Sequence, residues 1–161
     1  MGLDMYLYAE KYFASSPSWG TDRDREAVKN LVKMMDAEEV ATEEEYRRQS
    51  ASVRMEIAYW RKANEIHNYF VKNCADGVDN CQSVYIEIEQ LKDLLDRCKK
   101  ILDDNSLAQE LLPTVSGFFF GGTVYDEWYF ESIQETVKKL EKIIPQIEAH
   151  SDWDIYYEAS W

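Results

Sequence analysis

No stretch of this chain approaches the ~18 consecutive apolar residues that a membrane-spanning helix requires. The first residues include Asp4 and lack a basic-then-apolar pattern, so a secretory leader is not expected. Cysteine is scarce: Cys74, Cys81 and Cys98 are an odd number with no C-x-x-C spacing. That argues against a disulfide framework and against structural zinc, which needs four closed ligands; reducing cytosol fits best. His67 and His150 are the two histidines, and no H-E-x-x-H pair is present. There is no G-x-S-x-G nucleophile motif, and the stretch Gly117-x-x-x-Gly121-Gly122-Thr123 lacks the lysine of a phosphate-binding loop. The chain is therefore read as a non-enzyme, with no metal and no cofactor called for. Basic residues are outnumbered as well, 18 against 31 acidic, for a net charge of −13. Such a surface repels nucleic-acid phosphates and suits either dispersal in water or a basic protein partner.

What the chain does have is a normal globular balance, 45% hydrophobic and 30% charged over 161 residues, which fits one domain over residues 1–161. Residues 2–13 alternate, with Leu3, Met5, Leu7 and Ala9 on one side, as a strand with one buried face does. A loop over residues 15–21 leads to a helix over 22–35, capped by Thr21 or Asp22, with Ala27, Val28, Leu31, Val32 and Met35 as its apolar stripe. Residues 36–45 hold six acids and no base and read as an exposed excursion. Residues 52–58 alternate as a second strand, and a helix is expected over 59–73. Val84, Tyr85 and Ile86 form a short strand or a helix entry before a strongly periodic helix over 87–102. A short helix over 107–112 ends at Pro113, and a strand is expected around Phe118, Phe119 and Phe120. A long helix starts behind Asp126, with a kink or break at Pro145, and residues 153–161 alternate as a last strand beside the first. The expectation is an α+β fold with three or four helices on a small, mostly antiparallel sheet.

Two stretches carry more polar chemistry than a scaffold needs. On a helix over residues 59–73, Trp60, Asn64 and His67 share the stripe beside the core, with Arg61 and Lys62 at its start. Arg61 pairs with Glu65 four residues on in this reading. Two readings stay open. Asn64 and His67 knit the helix to a loop, with Trp60 in the core; or the stripe is a pocket wall that stacks a planar ring, reads its edge and meets a phosphate. In the second stretch, Phe118 and Phe120 share one strand face between glycines, and Asp126 and Trp128 open the following helix. The candidate ligand-binding set is Trp60, Arg61, Lys62, Asn64, His67, Phe118, Phe120, Asp126 and Trp128.

The blocks MGLDMYLY, YWRKANEIH, LPTVSGFFFG and YDEWYF resemble a family of small, mostly uncharacterised proteins encoded by tailed bacteriophages. The resemblance covers most of the chain apart from roughly residues 15–52 and the C-terminal end. Small accessory proteins of this kind often act on the host, including by blocking its defences. The resemblance implies action on the host from the cytoplasm of the infected bacterium; joined to the pocket reading of the Trp60, Arg61, Lys62, Asn64 and His67 cluster, it leads to the expectation of a non-enzymatic protein that sequesters a nucleotide-derived small molecule and so counters a host immune signal. The alternative is an acidic, DNA-mimic-like inhibitor of a basic host defence protein such as a nuclease, presenting residues 36–45. Neither reading involves membrane or direct nucleic-acid binding. A homo-oligomer is compatible with both, with rings such as Trp19 or Trp161 in its contact.

Overall fold

Alternation at the start of the chain becomes strand β1 (Asp4–Ala14), with Leu3, Met5 and Leu7 fully buried and Asp4, Tyr6 and Tyr8 partly exposed. The computed structural model describes residues 2–16, 18–39 and 49–161. After β1 come helix α1 (Asp22–Met34), strand β2 (Ser50–Arg61), helix α2 (Asn64–Cys74) and strand β3 (Val84–Tyr85). Helix α3 (Ile88–Asp103), a 3-10 turn (Asn105–Leu107), helix α4 (Ala108–Leu111), helix α5 (Glu127–Glu148) and strand β4 (Asp154–Ser160) complete the chain. The fold is α+β, with an antiparallel sheet of order β2-β1-β4-β3. The alternating residues at the end of the chain form a strand, which lies beside the first, and β3 pairs with it in the register Val84↔Tyr157 and Tyr85↔Tyr156.

Contacts group the chain into two compact units, residues 1–9 with 55–161, and residues 10–54. In the smaller unit, α1 starts with a reciprocal cap. The Thr21 N–H donates to Asp24 Oδ2 at 2.8 Å, and the Asp24 N–H donates to Thr21 Oγ1 at 3.1 Å. The Thr21 N–H and the Thr21 hydroxyl, which donates to Asp24 Oδ2 at 2.7 Å, together hold the Asp24 carboxyl below its ordinary range. Of the expected apolar stripe on α1 only Val28 is buried, and Met35 is exposed. Most of the acidic excursion, residues 40–45, lies outside the described residues.

In the larger unit, α3 and α5 run antiparallel along each other. Lys92 meets Glu148 at 2.8 Å and, seven residues on, Lys99 meets Glu141 at 2.7 Å. Beneath these surface pairs Leu91, Leu94, Cys98 and Ile101 of α3 pack in the core with Ile133, Leu140 and Ile144 of α5. α5 passes through Pro145 without a break. The proline sits in its last turn, and burial of Ile143, Ile144 and Ile147 around it offsets the lost hydrogen bond.

The largest departure from the sequence reading is at the start of α2. The expected helix over residues 59–73 begins only at Asn64, and residues 59–61 belong to β2. The Lys62 N–H donates to Leu3 O at 2.8 Å and so carries the chain along the first strand to that point. Tyr59 points outward, Trp60 inward and Arg61 outward, the period of a strand. Lys62 then turns the chain at φ +58°, a left-handed conformation that costs a non-glycine residue about 1 kcal/mol. The helical spacing from Tyr59 through Ala63 and Ile66 to Phe70 was shared between two elements. The second departure is at Phe118, Phe119 and Phe120, which form a turn and not a strand. Phe119 sits at φ +70°, Phe118 is exposed and Phe120 is buried, so Phe118 and Phe120 do not share a face.

Candidate functional site

The first two turns of helix α2 are buried on every side, and its last four residues reach the surface. All seven residues from 64 to 70 are buried, and four of them, Asn64, Glu65, His67 and Asn68, are polar. Polar groups taken out of water need partners, and each of these has found one. Asn64 and Asn68, one turn apart, hold the loop over residues 113–122. Asn64 Nδ2 donates to Gly122 O at 2.8 Å and Phe120 O at 3.3 Å, while its Oδ1 accepts from the Val115 N–H at 3.0 Å. Asn68 Nδ2 donates to Pro113 O at 2.7 Å.

His67 is 1% exposed and lies between Tyr157 Oη at 2.7 Å and Asp79 Oδ2 at 3.1 Å. In the neutral imidazole, with Asp79 accepting, Nε2 carries the proton and Nδ1 accepts from the Tyr157 hydroxyl. Burial pushes that hydroxyl well above its ordinary pKa, which keeps it a donor. The edges of Phe120 and Trp161 close over the imidazole at 5.1 and 5.3 Å between ring centroids. Trp161 is therefore packed against its own chain through His67 and Phe120.

Trp60 is also enclosed. Its Nε1–H donates to Thr136 Oγ1 at 2.9 Å, and the Thr136 hydroxyl donates to Ser132 O at 2.8 Å. Replacing Thr136 with valine keeps the shape and strands the indole N–H. The expected loss is about 1–2 kcal/mol in urea unfolding, and an unchanged midpoint would contradict this bond.

The polar stripe Trp60, Asn64 and His67 thus resolves into the knitting role. None of the three presents a free polar group to a ligand, and Trp60 and His67 do not reach the cavity described next. Arg61 does not pair with Glu65 either; its Nε lies 3.8 Å from Asp4 Oδ1.

A cavity of about 380 Å³ opens between the end of β2, the start of α2 and the start of α5. β2 and the turn after it contribute Arg61 and Lys62, and α2 contributes Asn64 and Glu65. The loop contributes Gly121, Gly122 and Val124; the last turns come from Asp126, Trp128, Tyr129 and Ser132 at the start of α5. The Gly121–Lys62 contact shapes one wall. Gly121 has φ +99°, and a Cβ there would lie 3.2 Å from Lys62 O and 3.3 Å from Lys62 Cβ. Only glycine lets the loop come this close to the end of β2. Lys62 has no carboxylate partner among the described residues. Trp128 is 77% exposed, a large ring left at the rim. Asp126 caps α5 by accepting from the Tyr129 N–H at 3.2 Å, so part of its capacity is already used.

Of the nine predicted residues the cavity brings together Arg61, Lys62, Asn64, Asp126 and Trp128. It leaves out Trp60, His67, Phe118 and Phe120. The first two and Phe120 are core, and Phe118 is exposed against Phe119.

Two residues with the strongest chemistry were missed. Glu65 is 3% exposed, and the Ser132 hydroxyl donates to its Oε1 at 2.6 Å. Burial pushes the Glu65 carboxyl up to about 7, with the Ser132 bond pulling the other way. Glu65 stands in the YWRKANEIH block, but as a residue four places from an arginine it reads as half of a surface pair. Only the folded chain shows that Arg61 leaves with the strand while Glu65 turns inward.

Among the described residues no three histidine, cysteine or carboxylate side chains converge as metal ligands would, and no helix is long and apolar enough to cross a membrane. Comparison with family models, with curated proteins and with solved structures gives no match.

Proposed function

We propose that this protein binds an anionic, ring-bearing small molecule of the nucleotide class in the 380 Å³ cavity and holds it without chemical conversion. The observation that carries this reading is the juxtaposition, in one cavity, of two cations and an exposed aromatic ring: Arg61 and Lys62 with Trp128. Cations meet a phosphate, and an indole face covers a planar ring. The volume falls at the lower end of the roughly 300–1,000 Å³ typical of ligand pockets, which suits a mononucleotide-sized molecule. The resemblance to phage proteins points to a host immune signal as the ligand and to sequestration in the infected cell as the role.

Isothermal titration against mononucleotides, cyclic mononucleotides and cyclic ADP-ribose isomers tests the reading; no heat from any of them would overturn it. The double replacement Arg61→Ala and Lys62→Ala is expected to weaken binding about tenfold at low salt, and by less as added salt screens both cations. Chromatography of the ligand after incubation should return it unchanged, and a new product would replace sequestration with catalysis.

A further inference from the structure

Glu65 is the one buried carboxyl on the cavity wall, and the binding reading leaves it without a task. It stands on a partition. The 380 Å³ cavity lies on one side, and a second cavity of about 240 Å³, lined in part by Lys72, Arg97 and Glu110, lies on the other. Ser132 lines only the first cavity and binds Oε1, so the carboxyl head is tied toward that side. Among the described residues the acid has no cation in contact. Arg61 pairs with Asp4, Arg97 pairs with Asp93 at 2.8 Å, and the nearer titratable groups are Cys98 of α3 and Tyr129 of α5, both themselves pushed up chiefly by burial. Lys62 shares the first cavity but forms no ion pair with Glu65, and Asp126 is a second acid on the same wall. A buried carboxylate with a single hydroxyl donor and its own backbone N–H is short of hydrogen-bond donors.

We propose that Glu65 selects the ligand: it accepts two adjacent N–H groups from the edge of a planar ring, the 2-amino-4-oxo-pyrimidine edge that guanine and pterins share, while Arg61 and Lys62 meet the ligand's anionic group. This inference rests on the proposed binding at the same cavity. The geometric reason is that a carboxylate's two oxygens match two parallel N–H donors as a fork. Such an edge supplies the donors the buried group lacks. Adenine, which pairs an acceptor with a donor, leaves one carboxylate oxygen facing a lone pair.

Because the acid is near the middle of its titration at neutral pH, an N–H-donating ligand favours the ionised form. Binding should then release up to roughly half a proton at pH 7. A ligand that offers acceptors would instead take a proton up.

Titration calorimetry of the full chain with GMP, IMP, AMP and pterin-6-carboxylate, in two buffers of different ionisation enthalpy, decides the matter. GMP is expected to bind roughly tenfold to a hundredfold more tightly than IMP, which lacks the 2-amino group, with AMP weaker than GMP and proton release on binding. Binding of pterin-6-carboxylate without GMP keeps the edge chemistry and assigns the source as a pterin. Glu65→Gln, which retains an acceptor for Ser132, is expected to abolish both the preference and the proton release. Equal binding of all three nucleotides, proton uptake, or an unaltered preference in Glu65→Gln overturns the selection by Glu65 while leaving the cavity as a binding site. Absence of binding by all four probes overturns the selection by Glu65, and if the cyclic nucleotides and cyclic ADP-ribose isomers also fail to bind, the binding reading falls with it. The GMP–IMP comparison needs no variant, so it stands even if Glu65→Gln folds poorly.

Discussion

Replacing Glu65 with glutamine is expected to make the protein more stable at pH 8 than the wild-type chain, by up to about 3 kcal/mol, and to leave the two nearly equal near pH 4.5. The folded chain keeps the Glu65 proton until about pH 7, whereas a carboxyl in the unfolded chain releases it near 4.5. Between those values the unfolded state binds fewer protons, so stability falls as pH rises. The contribution is fully present below about 4.5 and lost on passing 7. At pH 8 the native state carries an ionised, 3% exposed carboxylate whose burial is offset only in part by Ser132. Glutamine removes that charge and keeps an oxygen for the Ser132 hydroxyl. Urea unfolding at pH 5 and pH 8 reads the difference directly. Parallel pH profiles for the two proteins would show that Glu65 ionises near the ordinary value and is not the buried acid described above. A bound ligand that donates N–H groups to Glu65 should narrow the same gap, which ties the stability measurement to the binding one.

Asn64→Ala is expected to cost about 3 kcal/mol and to abolish ligand binding with it. The amide makes three hydrogen bonds to the loop over residues 113–122, to Val115, Phe120 and Gly122, and alanine leaves one backbone N–H and two carbonyls to find new partners. Those bonds also hold Gly121 and Gly122 where they form a cavity wall. Loosening the loop therefore removes the wall without touching Arg61, Lys62 or Glu65. Asn68→Ala, which loses the single bond to Pro113, should cost about 1 kcal/mol and leave binding nearly intact. Hydrogen exchange at Val115 and Phe120 provides a local readout: protection should drop in Asn64→Ala before global unfolding. If both variants lose the same small amount of stability, the loop is held by Tyr129 and the backbone contacts of Leu3 instead, since Tyr129 Oη also donates to Leu112 O at 2.9 Å and the Leu3 N–H to Phe119 O at 3.3 Å.

Much of the scaffold was legible because its signals are local. The alternation of Leu3, Met5 and Leu7, the periodic face of Leu91, Leu94, Cys98 and Ile101, and the caps Thr21 and Asp126 each depend on a few neighbours along the chain. Residues 153–161 alternate so regularly that their strand followed from pattern, while its place beside the first is set by pairing between the two ends of the chain. At residues 59–73 the same apolar spacing fits a strand followed by a helix as well as it fits one helix. The pairing of Lys62 with Leu3, fifty-nine residues away in sequence, resolves that ambiguity, and no local window contains it.

The sequence by itself determined the α+β class, the strand and helix faces that form the core, and the presence of cations, aromatic rings and amides in two stretches. Tertiary structure decided which of those groups meet. Arg61, Lys62 and Trp128 share a cavity because β2 ends, Lys62 turns left-handed and Gly121 admits the loop. Trp60, Asn64 and His67 are consumed by Thr136, the loop carbonyls and Tyr157 with Asp79. Burial distinguishes Glu65 from the other acids among the described residues, because desolvation depends on everything packed around a group and on nothing in its immediate sequence.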